Sequence, residues 1–184
     1  MKKASAPAHL DVRALAKSAG QVAGSESLAH YPRIAEDCQG ALEERMVDWS
    51  AHGELRSDAL QQESVWLFLR ADAKAPLTCQ RCLEVVDVEL QVRSSFRFVA
   101  DEETAAAQDD DSEEDLLVLH DDFNLHQLIE DELVLALPLI AHHEVCPGQL
   151  SAGDSPDFGE AVAGKPNPFA VLAGLKVDKP KVGK

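Results

Sequence analysis

The residues best suited to chemistry in this chain are two closely spaced cysteines, Cys79 and Cys82. Two thiolates at this spacing can hold one metal ion or form a redox disulfide. A closed zinc site needs four ligands, and Cys146 with His142 or His143 can complete the set. The alternative is a pair of small, half-buried side chains in a hairpin, because the chain has no second CxxC pair. The sequence assigns no cofactor, leaves zinc open, and lacks the βαβ surroundings of a thioredoxin-like redox site.

A second group of candidates is cationic and suited to binding phosphate. Four arginines lie in or beside predicted strands, and contacts to a phosphate backbone need clustered cations. The alternative is that these arginines pair with carboxylates such as Asp87 and Glu89 on the same strand face. The candidate RNA-binding residues in this region are Arg70, Arg81, Arg93 and Arg97.

The third candidate is the C-terminal segment 165–184, which carries five lysines and one aspartate. Within it, an asparagine and a proline are placed to cap and begin a short helix with apolar side chains. Such a module on a flexible linker can dock on a partner, or it can fold back on its own sheet. The candidate docking residues are Pro166, Asn167, Pro168, Phe169 and Leu172, and the candidate RNA contacts are Lys176, Lys179 and Lys181.

Motifs of the common enzyme classes are missing from the sequence. There is no Gly-x-Ser-x-Gly nucleophile motif and no Gly-x-Gly-x-x-Gly dinucleotide motif. Gly164 and Lys165 are followed by proline, where a phosphate loop has serine or threonine. The sequence therefore predicts a protein that is not an enzyme and has no small-molecule substrate.

Hydrophobic periodicity predicts the elements that position these candidates. Residues 47–51, 65–71 and 86–98 alternate with the period of two that is typical of strands. The last of these has one charged face, which favours antiparallel neighbours. Residues 125–136 repeat apolar side chains at helical spacing and end before Pro138. The predicted class is α+β, with an antiparallel sheet or open β-barrel and one main helix.

Composition divides the chain into three parts. Residues 1–40 form an N-terminal segment without a clear pattern, 41–150 the α+β core, and 151–184 a linker with the docking tail. Within the core, nine of the fifteen residues 101–115 are acidic, which predicts a disordered insert. The first strand of the core is expected to end in a turn at Gly53.

The formal net charge of −16 is unevenly distributed. Residues 1–97 carry 12 basic and 14 acidic side chains, whereas residues 98–164 carry 18 acidic side chains and no lysine or arginine. The overall charge repels phosphate and anionic membranes, but the first part and the basic tail do not share it. Four cysteines are too few for a disulfide scaffold, and the longest apolar stretch, nine residues interrupted by Pro138, is too short to span a bilayer. The N-terminal residues are charged and do not resemble a secretory signal. Together these features predict a cytoplasmic protein with no membrane role.

Three segments together resemble the YceD family of bacterial large ribosomal RNA subunit accumulation proteins, in the family's order and with the acidic insert between the first two. They are Thr78-Cys79-Gln80-Arg81-Cys82-Leu83, Ile129-Glu130-Asp131-Glu132-Leu133-Val134-Leu135-Ala136-Leu137-Pro138, and Lys165-Pro166-Asn167-Pro168-Phe169-Ala170-Val171-Leu172-Ala173-Gly174-Leu175-Lys176. The resemblance implies a non-enzymatic, cytoplasmic factor needed for accumulation of large-subunit (23S) rRNA. Some family members carry a second cysteine pair where this chain has only Cys146.

Two functional hypotheses follow from the residues and the resemblance. The first is a ribosome biogenesis factor that contacts large-subunit rRNA or the pre-ribosome through the arginines and the basic tail. The second is an acidic escort for a basic ribosomal protein or maturation factor, because an acidic surface can mask cations before they meet RNA.

Overall fold

A computed structural model describes residues 6–57, 63–112 and 114–147 of the protein. In these ranges five strands form one open sheet in the order in which they occur along the chain. The first four strands pair antiparallel, and the short fifth strand pairs parallel to the fourth. The elements are α1 (Val12–Lys17), β1 (Gln21–Ser27), α2 (Pro32–Asp37), β2 (Met46–Ser57), β3 (Glu63–Thr78), β4 (Val85–Val99), α3 (Glu102–Gln108), β5 (Asp115–Val118) and α4 (Leu125–Leu135).

The α+β class is confirmed, but the sheet is mixed where the sequence predicted an antiparallel one. The parallel pair joins Phe96 to Asp115 and Val99 to Val118. It forms because the chain leaves β4, passes through α3 and returns to the same edge in the same direction. A four-residue strand is too short for its periodicity to reveal its direction.

The two long central strands owe their length to an alternation of buried and more exposed side chains along most of each strand. Odd-numbered residues of β3 are buried and lie opposite even-numbered β4 residues on the same face, as Leu67 does with Phe96 and Ala73 with Leu90. The opposite face of the sheet carries the even-numbered residues of β2 and β3. The sheet therefore has one core face and one open face.

Helix α4 supplies a large part of the cover over the core face. Asn124 caps its N-terminus by accepting a hydrogen bond from the Gln127 N–H at 3.0 Å. Leu125, Ile129 and Leu133 are fully buried at helical spacing. The predicted helix before Pro138 is thus present, together with three shorter helices in the described ranges.

Gly53 does not form the predicted turn, since β2 continues through it to Ser57. A Cβ atom at this position would lie 2.7 Å from the backbone nitrogen of Ala16 in α1. The Gly53 N–H donates to the Gly20 carbonyl at 3.0 Å, which joins the strand to the end of the loop after α1. Glycine is needed here because the two backbones approach closely. The sequence alone does not distinguish such a glycine from one that forms a turn.

A buried carboxylate ties the N-terminal residues to α4. Glu26 is 4% exposed and accepts hydrogen bonds from the Ala6 N–H at 3.0 Å and the Tyr31 hydroxyl at 2.7 Å. Burial acts to raise its pKa, but these two donors, the nearby His126 and a bond with His30 outweigh burial and lower the pKa below 4.5. The Tyr31 ring stacks on His126 with centroids 4.5 Å apart.

The acidic insert differs from the disordered segment that composition predicted. Asp101 caps α3 by accepting from the Thr104 N–H at 2.8 Å, and Glu102 and Glu103 occupy the first helical turn. Carboxylates at a helix N-terminus are stabilised by the helix dipole, and three alanines favour the helix interior.

No helix in the described ranges is long and apolar enough to cross a membrane.

Candidate metal centre and cationic surface

The β3–β4 hairpin positions Cys79 and Cys82 at one end of the sheet. The Cys79 N–H donates to the Glu84 carbonyl at 2.8 Å, and the Leu83 N–H donates to the Cys79 carbonyl at 2.9 Å. Leu83, the residue after the second cysteine, has a left-handed backbone with φ of 65°. This tight turn brings the two thiols of the pair to the same side of the hairpin.

The segment that follows α4 supplies the other two donors. It is joined to the hairpin by a hydrogen bond of 2.8 Å from the Gln80 N–H to the Ala141 carbonyl. Nε2 of His143 lies 3.1 Å from the Val85 carbonyl, which can only accept a hydrogen bond. The Nε2–H tautomer leaves the Nδ1 lone pair of His143 facing the cysteines, as an outer hydrogen bond commonly does for a metal-bound histidine.

The four donor atoms of Cys79, Cys82, His143 and Cys146 all lie within 4.8 Å of one another. The Sγ atoms of Cys79 and Cys146 are 3.9 Å apart, and Sγ of Cys82 is 3.5 Å from Nδ1 of His143. Zinc–sulfur bonds of about 2.3 Å in a tetrahedron place two sulfurs about 3.8 Å apart. The cluster therefore has the dimensions of a Cys3His zinc site. Its three cysteines and one histidine would fill all four positions of a tetrahedral shell and leave none open.

The surroundings of the thiols favour ligation. Burial acts to raise the pKa of Cys79, but the backbone N–H groups of Cys82, Arg81 and His143 outweigh burial and lower the pKa to about 5. Burial and the hydrogen bonds and charges of the other two thiols raise the pKa of Cys146 to about 11. These shifts favour the thiolate form of Cys79 and the protonated form of Cys146, so metal binding to the cluster releases protons.

Comparison with the predicted ligands shows which histidine joins the cysteines. The structure brings together Cys79, Cys82 and Cys146 with His143. His142 instead is exposed, with Nδ1 3.2 Å from the Ile140 carbonyl. Two adjacent histidines are equivalent in the sequence, and only the path of the chain after α4 separates them.

Two of the predicted RNA-binding arginines are engaged within the fold. Nη2 of Arg93 donates to both carboxylate oxygens of Asp72, at 2.7 and 3.0 Å. The guanidinium of Arg97 donates to Glu114 at 2.6 Å and to Gln108 and Ser112, each at 2.8 Å. Arg97 thereby anchors the acidic insert to β4.

The other predicted cations are differently placed. Arg70 on β3 and Arg81 in the hairpin turn are exposed and form no ion pair with a described carboxylate. The tail candidates lie outside the described residues: Lys176, Lys179, Lys181, Pro166, Asn167, Pro168, Phe169 and Leu172.

Comparison with known proteins adds the family to this geometry. A family described as large ribosomal RNA subunit accumulation protein YceD matches residues 67–176. The large ribosomal RNA subunit accumulation protein YceD of Haemophilus influenzae is 31% identical over 147 residues, covering 78% of this chain and 80% of that protein. No solved structure matches the chain. The matched region contains all four residues of the Cys3His cluster, and the chain belongs to the YceD family of large ribosomal RNA subunit accumulation proteins.

Proposed function

We propose that the protein is a non-catalytic, cytoplasmic ribosome biogenesis factor that supports the stable accumulation of 23S rRNA, in contact with that rRNA or the pre-ribosome. Family membership supplies the link to large-subunit rRNA. The closed Cys3His cluster at the end of the sheet supports a structural rather than a catalytic role for a metal bound there.

A closed set of ligands favours a structural role for the metal. Catalytic zinc sites keep one position for water or substrate, whereas structural sites are filled by four protein side chains. Here three thiols and one imidazole would hold zinc, and the zinc would supply cross-linking rather than Lewis-acid chemistry. The cross-link would join the β3–β4 hairpin to the segment after α4, and these two parts lie far apart in the sequence.

The primary experiment measures rRNA in cells that lack the gene. We expect the ratio of 23S to 16S rRNA to fall in the deletion strain and to recover when the chain is expressed. A Cys82→Ser variant should recover less, because it removes a ligand. Cys38→Ser is the matched control, since Cys38 is a half-buried free thiol outside the cluster. An unchanged 23S to 16S ratio in the deletion strain would contradict the proposed function.

A second candidate function is an acidic escort for a basic ribosomal protein or maturation factor. The observation that favours it is α3, which has no buried residue and presents Glu102 and Glu103 to solvent. Exposed carboxylates of one sign attract a cationic partner over a distance of about a Debye length, about 10 Å at 0.1 M salt.

The escort function can be tested without unfolding the insert. Glu102, Glu103, Asp109 and Asp110 are changed to their amides, while Asp101 and Glu114 are kept because they cap and anchor the segment. We expect the amide variant to lose ribonuclease-resistant capture of basic ribosomal proteins. If capture is unchanged, the insert only increases solubility and the escort function is wrong.

A further inference from the structure

The open face of the sheet carries an unusual cluster of aromatic side chains. Even-numbered residues of β2 and β3 point away from the core, where polar side chains are usual. At one end of this face the positions are instead occupied by Trp66 and Phe68 on β3, with His52 opposite Phe68 on β2. We call these three residues the aromatic patch.

The rings of Trp66 and Phe68 are nearly parallel, and the His52 ring is inclined to that of Phe68. The centroids of Trp66 and Phe68 are 6.1 Å apart with planes inclined by 9°, and those of His52 and Phe68 are 6.3 Å apart with planes inclined by 29°. All three side chains are only partly buried. Trp66 and Phe68 are two residues apart on β3, and His52 lies on the neighbouring strand β2. The sheet sets the spacing of all three residues and so holds the arrangement rigid.

Arginines surround the aromatic patch. The guanidinium carbon of Arg56 lies 4.8 Å from the ring centroids of both Trp66 and Phe68. Its side chain is 47% exposed, and Nη2 donates to Glu54 at 3.3 Å. Arg70, next to Phe68 on the same face, is exposed and forms no ion pair with a described carboxylate. With Arg93 they line an open cavity of about 630 Å³.

The charge of this cavity contrasts with that of the rest of the face. Its lining includes three arginines and one carboxylate, that of Glu54. A second concavity further along the same face is lined by two basic side chains and four carboxylates: Arg45, Lys74, Glu44, Asp48, Asp72 and Glu89. Arg56 pairs with Glu54 and Arg93 pairs with Asp72, so Arg70 is the cation of this lining that forms no ion pair with a described carboxylate. In a protein of net charge −16, Arg70 thus makes the aromatic end of the face a local site for an anion.

We propose that the aromatic patch with Arg56 and Arg70 binds single-stranded RNA, by stacking unpaired bases on the rings and pairing phosphates with the guanidinium groups. Stacking on aromatic or guanidinium planes is the general mode by which proteins hold unpaired bases, and every base offers a π face. A-form duplexes keep their bases stacked inside the helix, so an exposed aromatic surface favours single strands. This inference rests on the proposed function and assigns the RNA contact to one face of the sheet.

Binding of a labelled oligonucleotide to the full-length, zinc-loaded protein tests the proposal. The probes are oligouridylate and oligoadenylate of about 12 nucleotides, and a duplex of the same length as comparison. We expect single strands to bind and the duplex to bind more weakly. Phe68→Leu should weaken binding about tenfold, whereas Phe68→Tyr, which keeps a stacking ring, should bind like the unsubstituted protein.

Arg70 has a matched control on the same strand face. Arg70→Ala should reduce the slope of log affinity against log salt concentration by about 0.7, the value for one phosphate contact of a single strand. Lys74→Ala removes an exposed cation that pairs with Glu89 outside the aromatic cavity, and it should leave affinity within about twofold. Absence of binding, equal binding of duplex and single strand, or equal effects of Arg70→Ala and Lys74→Ala would overturn the proposal.

A measurement in cells separates this inference from the proposed function. The double variant Phe68→Leu, Arg70→Ala is expressed in the deletion strain and its 23S to 16S ratio is compared with that of the unsubstituted chain. We expect the double variant to fail to restore the ratio. If the double variant fully restores the ratio, RNA does not bind at this face, and the proposed function remains intact. If the deletion strain has normal 23S rRNA, both the binding face and the proposed function are wrong.

Discussion

Replacement of the two adjacent histidines provides a direct test of the metal centre. His143→Ala removes one of four donors, while His142→Ala removes an exposed imidazole one residue away that contributes no donor to the cluster. Structural zinc sites bind with about 10–16 kcal/mol at neutral pH. Divided among four ligands, this gives about 3 kcal/mol for one donor, which is roughly a hundredfold in the dissociation constant.

The assay is a zinc titration of each variant against a chromophoric chelator, combined with urea unfolding in the presence and absence of zinc. We expect His143→Ala to bind zinc roughly a hundredfold more weakly and His142→Ala to change by less than about twofold. Without zinc, the two variants should differ by no more than about 1 kcal/mol, the contribution of the exposed bond from His143 to Val85. Equal zinc affinities of the two variants, or an equally large stability loss of His143→Ala without zinc, would refute the assigned ligand set.

Three further variants test the backbone and packing of the fold. Gly53→Ala should lower the free energy of unfolding by about 1–3 kcal/mol in urea denaturation, because its Cβ would lie 2.7 Å from the Ala16 nitrogen; an unchanged value would contradict this close approach. Leu83→Gly should raise the unfolding free energy of the zinc-free protein by up to about 1 kcal/mol, since it relieves a left-handed backbone at a 75% exposed side chain; destabilisation would contradict this. Tyr31→Phe should cost about 1.5–3 kcal/mol at pH 7, where the hydroxyl donates to ionised Glu26. The lowered pKa of Glu26 stabilises the fold above pH 4.5, so this cost should shrink as Glu26 protonates at lower pH, and a pH-independent cost would contradict the assignment.

The fold was most predictable where one periodic pattern ran for many residues. Residues 86–98 were predicted as a strand and β4 spans Val85–Val99, because burial of alternate side chains on one face is written directly into the sequence. The N-terminal strand β1 has no such alternation, since its buried residues are consecutive and include Gly24 and Ser25. It forms because β2 offers an unpaired edge, which is a property of the tertiary structure.

The acidic insert shows why composition alone misjudged local order. Self-repulsion and few apolar residues predict disorder, but the anchoring group lies outside the insert, on β4. Arg97 binds three side chains of the segment through its three guanidinium nitrogens. A single partly buried cation that binds a carboxylate, an amide and a hydroxyl of the segment can order it, and the sequence does not reveal that pairing.

The aromatic patch was missed for a related reason. Trp66 and Phe68 fall on alternate positions of a strand whose other positions are also apolar, so the residue types do not show that one face of this strand is open. In the structure one face is open, and the rings meet the Arg56 guanidinium of the neighbouring strand. Alternation identified the positions, and only the register of β2 with β3 showed what they face.

The sequence by itself determined the family, the CxxC pair, the charge distribution and the main strands and helix, because these depend on residue types and on spacing within one segment. The tertiary structure decided that His143 and not His142 completes the metal cluster, and that Arg93 and Arg97 are engaged while Arg70 stays exposed. Those outcomes depend on contacts between residues far apart in the chain, such as Cys82 and His143, whose separation in space is set by how the β3–β4 hairpin and the segment after α4 pack together.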